Sequence, residues 1–134
     1  MSKFTHLHVH TQYSILDGLA TIPGLIKKAY NDGQRAMAVT DHGNMYGIYT
    51  FVSEVEKLNE DNIKKLKKEA FDKAKEEALE KKKTAAKEEE KNKIELTPEE
   101  IEKLEPEPIH YEPFKAIIGC EVYVARGSRF SKKS

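Results

Sequence analysis

Phe4-Thr5-His6-Leu7-His8-Val9-His10 alternates residue types as a strand does, and the stretch from Thr11 to Thr21 behind it is rich in turn formers, Asp17 and Gly18 among them. Ile22, Leu25, Ile26 and Ala29 then fall at helical spacing. Thr21 stands as N-cap, Pro23 sits in the first turn, and Asn31, Asp32 and Gly33 end the helix. Ala36-Met37-Ala38-Val39-Thr40 is a short apolar run suited to a buried strand; Asp41 to Gly47 is a Gly- and Asn-containing loop, and a second helix begins between Tyr46 and Ile48. Strand, helix, strand, helix with short connections predicts a parallel β/α arrangement, hence an α/β fold.

Composition sets the bounds around this core. A chain of 134 residues is the size of one domain. Its formal charge is zero although 34% of its residues are charged, which predicts a heavily ion-paired, solvated helical face and argues against a dedicated polyanion-binding surface. A single cysteine, Cys120, builds no internal disulfide and suits a reducing compartment. No apolar stretch approaches the roughly 20 residues of a membrane span, and no basic region followed by an apolar run marks a secretory signal. The expectation is a soluble, cytoplasmic protein with no membrane partner.

Three zones follow from composition. Residues 1–56 read as ordinary globular sequence. From about Lys57 to Glu105 there is no glycine, and Lys, Glu and Ala dominate. Leu58, Ile63, Leu66, Ala70, Phe71, Ala74, Ala78 and Leu79 fit one narrow stripe of a long exposed helix. The pattern restarts after Asn92, where Thr97, Pro98 and Glu100 form a capping-box signature and Ile101 and Leu104 give a short helix its apolar side. A helical hairpin is the expected shape, closed by Pro106, Pro108 and Pro113. Phe114 to Ala125 then reads as a buried strand interrupted at Gly119 and Cys120, and Arg126 to Ser134 is basic and small.

Three clusters carry possible chemistry. On a strand, His6, His8 and His10 would line one face. Two such imidazoles can share a divalent metal, with Asp17 as an oxygen ligand from the next loop, a donor set suited to Zn or Mn. Solvated or core-satisfied histidines are the alternative. Asp41-His42-Gly43 follows the second strand, where β/α folds collect their catalytic groups; taken alone, such a group more often makes a loop hydrogen bond than a metal site. Glu121 directly follows an apolar run, so it needs a metal or another partner, unless the strand is an edge with Glu121 in water. Cys120 points to the opposite face from Glu121 on a regular strand and reads as a small buried core residue. His110 reads as a surface histidine.

His6-Leu7-His8-Val9-His10-Thr11-Gln12-Tyr13-Ser14, Leu16-Asp17-Gly18, Ala38-Val39-Thr40-Asp41-His42-Gly43-Asn44 and Ile117-Ile118-Gly119-Cys120-Glu121-Val122-Tyr123-Val124 together resemble the first motifs of the PHP domain family. The form they resemble is the one at the N-terminus of bacterial DNA polymerase III alpha subunits, over residues 1–56 and 114–130. The resemblance implies a distorted β/α barrel of about seven strands, of which this chain supplies about three, with the charged helical insertion at about 57–105. It implies metal ligation by His8, His10, Asp17, His42 and Glu121, with up to three divalent ions, Zn or Mn, in a complete site. It places His6 deeper in the barrel and Asp41 in a hydrogen bond to a neighbouring ligand.

The implied activity is phosphoester hydrolysis, such as 3′–5′ exonuclease removal of a mistaken nucleotide, within a DNA-directed DNA polymerase whose partners are DNA and other replicase subunits. The family's remaining ligands are expected beyond Ser134, so the isolated segment is expected to be inactive. A metal-binding or degenerate scaffold within the polymerase and a free-standing PHP phosphatase are the alternatives.

Overall fold

The computed structural model describes residues 4–85, 94–128 and 130. Five elements follow in order: α1 (Ile22–Asn31), β1 (Ala36–Val39), α2 (Ile48–Ala85), α3 (Pro98–Glu102) and β2 (Lys115–Ile118). The chain divides into two compact units, one of residues 1–59 with 113–134, the other of residues 60–112.

In the first unit, α1 forms where the apolar spacing predicts it. Thr21 stands at the N-cap, but its side chain makes no capping hydrogen bond. Gly33, at φ 77°, lies just beyond the helix in the left-handed region that glycine enters at least cost. Ile22, Ile26 and Ala29 recur on one face and are buried with Met37 and Val39 of β1, Phe51 and Val55 of α2, and Phe114. Each large apolar side chain so buried contributes about 1.5–3 kcal/mol. Three successive β1 residues are buried because both faces of the strand are covered. At the start of β2, Asn59 replaces a strand partner: its amide donates to the Phe114 carbonyl at 2.9 Å and its carbonyl accepts Phe114 N–H at 2.9 Å.

β1 and β2 pair in parallel, Ala36 opposite Lys115 through Val39 opposite Ile118. Two strands are present among the described residues, where about three were expected. The segment 4–10 does run beside β1, since Ala38 N–H donates to the His6 carbonyl at 2.8 Å and Thr40 N–H to the Val9 carbonyl at 2.9 Å. Those carbonyls belong to residues three positions apart and the amides to residues two apart, and Val9 N–H turns to the Thr40 hydroxyl at 3.0 Å. That extra residue breaks the two-residue ladder a strand requires. Periodicity therefore identified the path but not the hydrogen bonding. β2 is also shorter and more exposed than expected: Ile117 and Ile118 are 37% and 52% exposed, and Ala116 is the β2 residue that packs on the core.

The second unit contains most of α2, one unbroken helix of 38 residues that crosses the compositional boundary near residue 57. Thr97 and Glu100 complete the expected capping box at α3. Glu100 also binds Lys82 at 2.7 Å, and Lys82 reaches the Glu95 carbonyl at 3.1 Å. These contacts hold the Glu100 carboxyl at about 2, well below its ordinary 4.5; the Lys82 hydrogen bond is the largest cause and the Thr97 N–H the next. The expected second arm of a hairpin is five residues long. Of the expected long helix, residues 86–93 lie outside the described residues, as do residues 129 and 131–134 of the basic stretch that begins at Arg126.

Candidate metal centre

The site is assembled by the register of the sheet. Past the ends of β1 and β2 the ladder continues: Gly119 N–H donates to the Val39 carbonyl at 3.0 Å, Glu121 N–H to the Asp41 carbonyl at 3.1 Å, and Gly43 N–H to the Glu121 carbonyl at 2.8 Å. His42 consequently lies opposite Glu121, 79 residues away in the chain. Gly119 permits this approach, because a Cβ there would lie 2.8 Å from the Thr40 methyl. On the other edge of β1, the bonds from Ala38 and Thr40 carry residues 6–9 past the same end, which delivers His8 and His10.

Three imidazoles converge on one oxygen of Glu121. His10 Nε2 is 2.6 Å from Oε2, His42 Nδ1 3.1 Å and His8 Nε2 3.6 Å. His8 and His10 approach each other at 3.2 Å between their Nε2 atoms. Among the described residues, the ligand atoms of His8, His10 and Glu121 form a group compact enough to hold a metal ion, all within 4.8 Å of one another. Two ligands about 2.1 Å from a tetrahedral ion stand about 3.4 Å apart. The separations of 3.2 and 3.6 Å match that edge, whereas 2.6 Å is a hydrogen-bond distance. Two imidazole nitrogens meet this closely only with a shared proton or a cation between them. The donor set of nitrogen and carboxylate oxygen fits a borderline divalent ion.

The Glu121 carboxyl is held below its ordinary value, first by the hydrogen bond from His42 and then by that from His10, against desolvation that pushes the other way. If His42 donates from Nδ1, its Nε2 must accept, and the Tyr123 hydroxyl meets that nitrogen. The two rings also contact edge to face at 4.9 Å between centroids. Tyr123 carried no role in the sequence reading, although it lies two residues from Glu121, the spacing that shares a strand face.

Other residues fall elsewhere. Asp17 is exposed in a turn, its N–H bonded to the Ser14 carbonyl at 3.0 Å, and is outside the three-residue group. His6 is exposed, its ring against Phe4 at 4.7 Å, so the expectation of a deep position fails. Asp41 does orient its surroundings, but not through an imidazole: its carboxylate accepts from Thr11 and Ser14. Those two small hydroxyl residues had no signal of their own. Cys120 is half-buried, not core, with Sγ 3.6 Å from the Asp41 carbonyl.

Comparison with known proteins gives a consistent picture. The PHP domain model matches residues 6–133. DNA polymerase III subunit alpha of Aquifex aeolicus is 54% identical over 52 residues, 38% of this chain and 4% of that protein. The subunit from Borreliella burgdorferi is 48% identical over 56 residues, 42% of this chain and 5% of that protein. That of Helicobacter pylori strain 26695 is 48% identical over 54 residues, 40% of this chain and 4% of that protein. The matches thus cover about a twentieth of these relatives. No solved structure matches the chain. No helix among the described residues is long and apolar enough to cross a membrane.

Proposed function

The chain belongs to the PHP domain family, and from that premise we propose that it supplies part of a divalent-metal phosphoesterase site within a replicative DNA polymerase III alpha subunit. His8, His10, Asp17, His42 and Glu121 are the proposed ligands, Zn or Mn the ions, and the 3′ end of DNA the substrate. Residues 1–56 and 114–130 form the PHP core of this portion, with the charged insert at about 57–105. DNA and other replicase subunits are the partners, and the cytoplasm is the place of action.

The observation that carries the reading is the convergence of His8, His10 and His42 on Glu121 Oε2. Bound divalent ions would neutralise a phosphate and stabilise the attacking and leaving oxygens of an in-line displacement. His8 and His10 would supply imidazole nitrogens from one segment, and Glu121 a carboxylate able to bridge two ions. Tyr123 holds one nitrogen of His42, leaving the other directed at Glu121.

A scaffold reading also has a specific observation in its favour. A direct chain of hydrogen bonds joins His10, Glu121, His42 and Tyr123. Metal content and 3′ nuclease activity of the full-length gene product, beside a His8→Ala, His10→Ala variant, separate the two. Stoichiometric metal and hydrolysis, both lost in the variant, are expected. An intact, metal-free and inactive unmodified protein would leave the scaffold.

A further inference from the structure

Asp41 touches every segment that carries a converging group. Its Oδ1 accepts Thr11 N–H at 2.7 Å and the Ser14 hydroxyl at 2.7 Å, and the Thr11 hydroxyl lies 3.0 and 2.9 Å from its two oxygens. Thr11 directly follows His10. The Asp41 carbonyl accepts Glu121 N–H at 3.1 Å, and His42 is the next residue in the chain. Ser14 closes the circuit, because its oxygen also accepts His42 N–H at 3.0 Å.

This network is closed to water: Thr11 and Ser14 are 0% exposed and Asp41 1%. The donors that meet the carboxyl group among the described residues, Thr11 N–H and the Thr11 and Ser14 hydroxyls, are all neutral. Burying a carboxyl group costs free energy unless its polar atoms are hydrogen-bonded, and an apolar residue of similar volume would fill the space. What Asp41 adds is two acceptor oxygens at one point, both engaged. The preceding residue completes the grip on His10: Thr40 takes Val9 N–H at 3.0 Å while Asp41 takes Thr11 N–H, so the backbone on both sides of His10 is fixed to the end of β1.

We infer that Asp41 is a positioning residue that fixes His10, His42 and Glu121 relative to one another through Thr11, Ser14 and its own backbone. The His10 and His42 rings stand 6.0 Å apart because the segments bearing them are joined one residue away, at Thr11 and Asp41. Groups held before an ion arrives need no ordering when it binds, which raises affinity. The inference rests on the metal-site reading above, and its test separates the two.

Mn2+ affinity, by competition with a chelator, and hydrogen exchange of peptides spanning 8–14 and 40–46 are measured on the full-length gene product and on Asp41→Ala, Asp41→Asn and Ser14→Ala. Asp41→Ala lowers Mn2+ affinity about 10–100-fold and speeds exchange at the Thr11 and His42 amides. Asp41→Asn recovers part of the affinity, since its carbonyl still accepts Thr11 N–H; Ser14→Ala loses less than Asp41→Ala. In a His42→Ala background the Asp41→Ala loss shrinks, because one of the groups it positions is gone.

Unchanged affinity in folded Asp41→Ala protein, or a loss of equal size in both backgrounds, overturns the inference. Should Asp41→Ala fail to fold, Ser14→Ala and Thr11→Val decide, and unchanged affinity and exchange in both overturn it. An unmodified protein that binds no Mn2+ sinks the metal-site reading instead. Exchange then judges the clamp alone: faster exchange in the variants sustains it, and unchanged exchange removes it.

Discussion

Carboxylates do different work in the two compact units. In the unit of residues 1–59 and 113–134, Glu121 meets His10 across 111 residues of chain, and Asp41 joins segments about 30 residues apart inside a water-free pocket. In residues 60–112, Lys64 with Glu60, Lys65 with Glu69 and Lys73 with Glu77 pair one helical turn apart with both partners mostly in solvent. Long-range bonds, buried at Asp41 and half-exposed at Glu121, fix where a segment lies. Local, hydrated pairs favour a helix that its own backbone already specifies. The number of charges in a region is thus no guide to how much they organise.

The contrast can be broken at several strengths. Phe51→Ala empties a position with 0% exposure in the first unit and costs about 3–5 kcal/mol, read as a large drop in the denaturant midpoint; a change below about 1 kcal/mol would refute a tightly packed core there. Gly18→Ala is next. Its Cβ would lie 2.2 Å from the Thr11 carbonyl oxygen, and overpacking of this kind costs about 1–3 kcal/mol. Because Thr11 also binds Asp41, Mn2+ affinity should fall together with stability.

Effects in the second unit are smaller. Thr97→Ala removes the N-cap of α3, a loss of about 1 kcal/mol that hydrogen exchange over residues 97–104 would register without any change near Glu121. Acid acts on the same cap. Glu100 is held at about 2 against an ordinary 4.5, so its contribution is complete above pH 4.5 and disappears as the pH falls toward about 2. Exchange over 97–104 should quicken across that interval and lose this dependence in Glu100→Gln; an unaltered pH profile in the variant would assign the effect elsewhere. Smallest is Lys65→Ala, which removes one exposed pair with Glu69 and shifts stability by about 0.3–0.5 kcal/mol, fading with added salt.

Several features were legible because their causes are local. The spacing of Ile22, Ile26 and Ala29 fixes α1, and Thr97 with Glu100 states a cap in four residues. The histidine cluster and the residues after each apolar run were visible as chemistry, and His8, His10, His42 and Glu121 do come together. The strand expected at 4–10 was not found, because alternation of types says nothing about whether a carbonyl pairs with a backbone amide or a hydroxyl such as that of Thr40. Asp17 was read with the site both as the oxygen donor of the loop after the histidines and by resemblance; it lies in an exposed turn outside the three-residue group, because a loop side chain is not placed by the register that fixes strand residues. Thr11, Ser14 and Tyr123 carried no distinctive pattern, since a hydroxyl becomes informative only when its partner is known.

The sequence by itself determined the helices, the buried run of β1, the cap of α3 and the kinds of ligand atoms on offer, all of which depend on neighbours within about one or two turns of chain. Only the tertiary structure decided that His42 lies opposite Glu121 and that Asp41 faces Thr11 and Ser14. Those pairings depend on the register between distant segments, and register is set by the packing of β1 against its neighbours on both edges, which no single stretch of sequence contains.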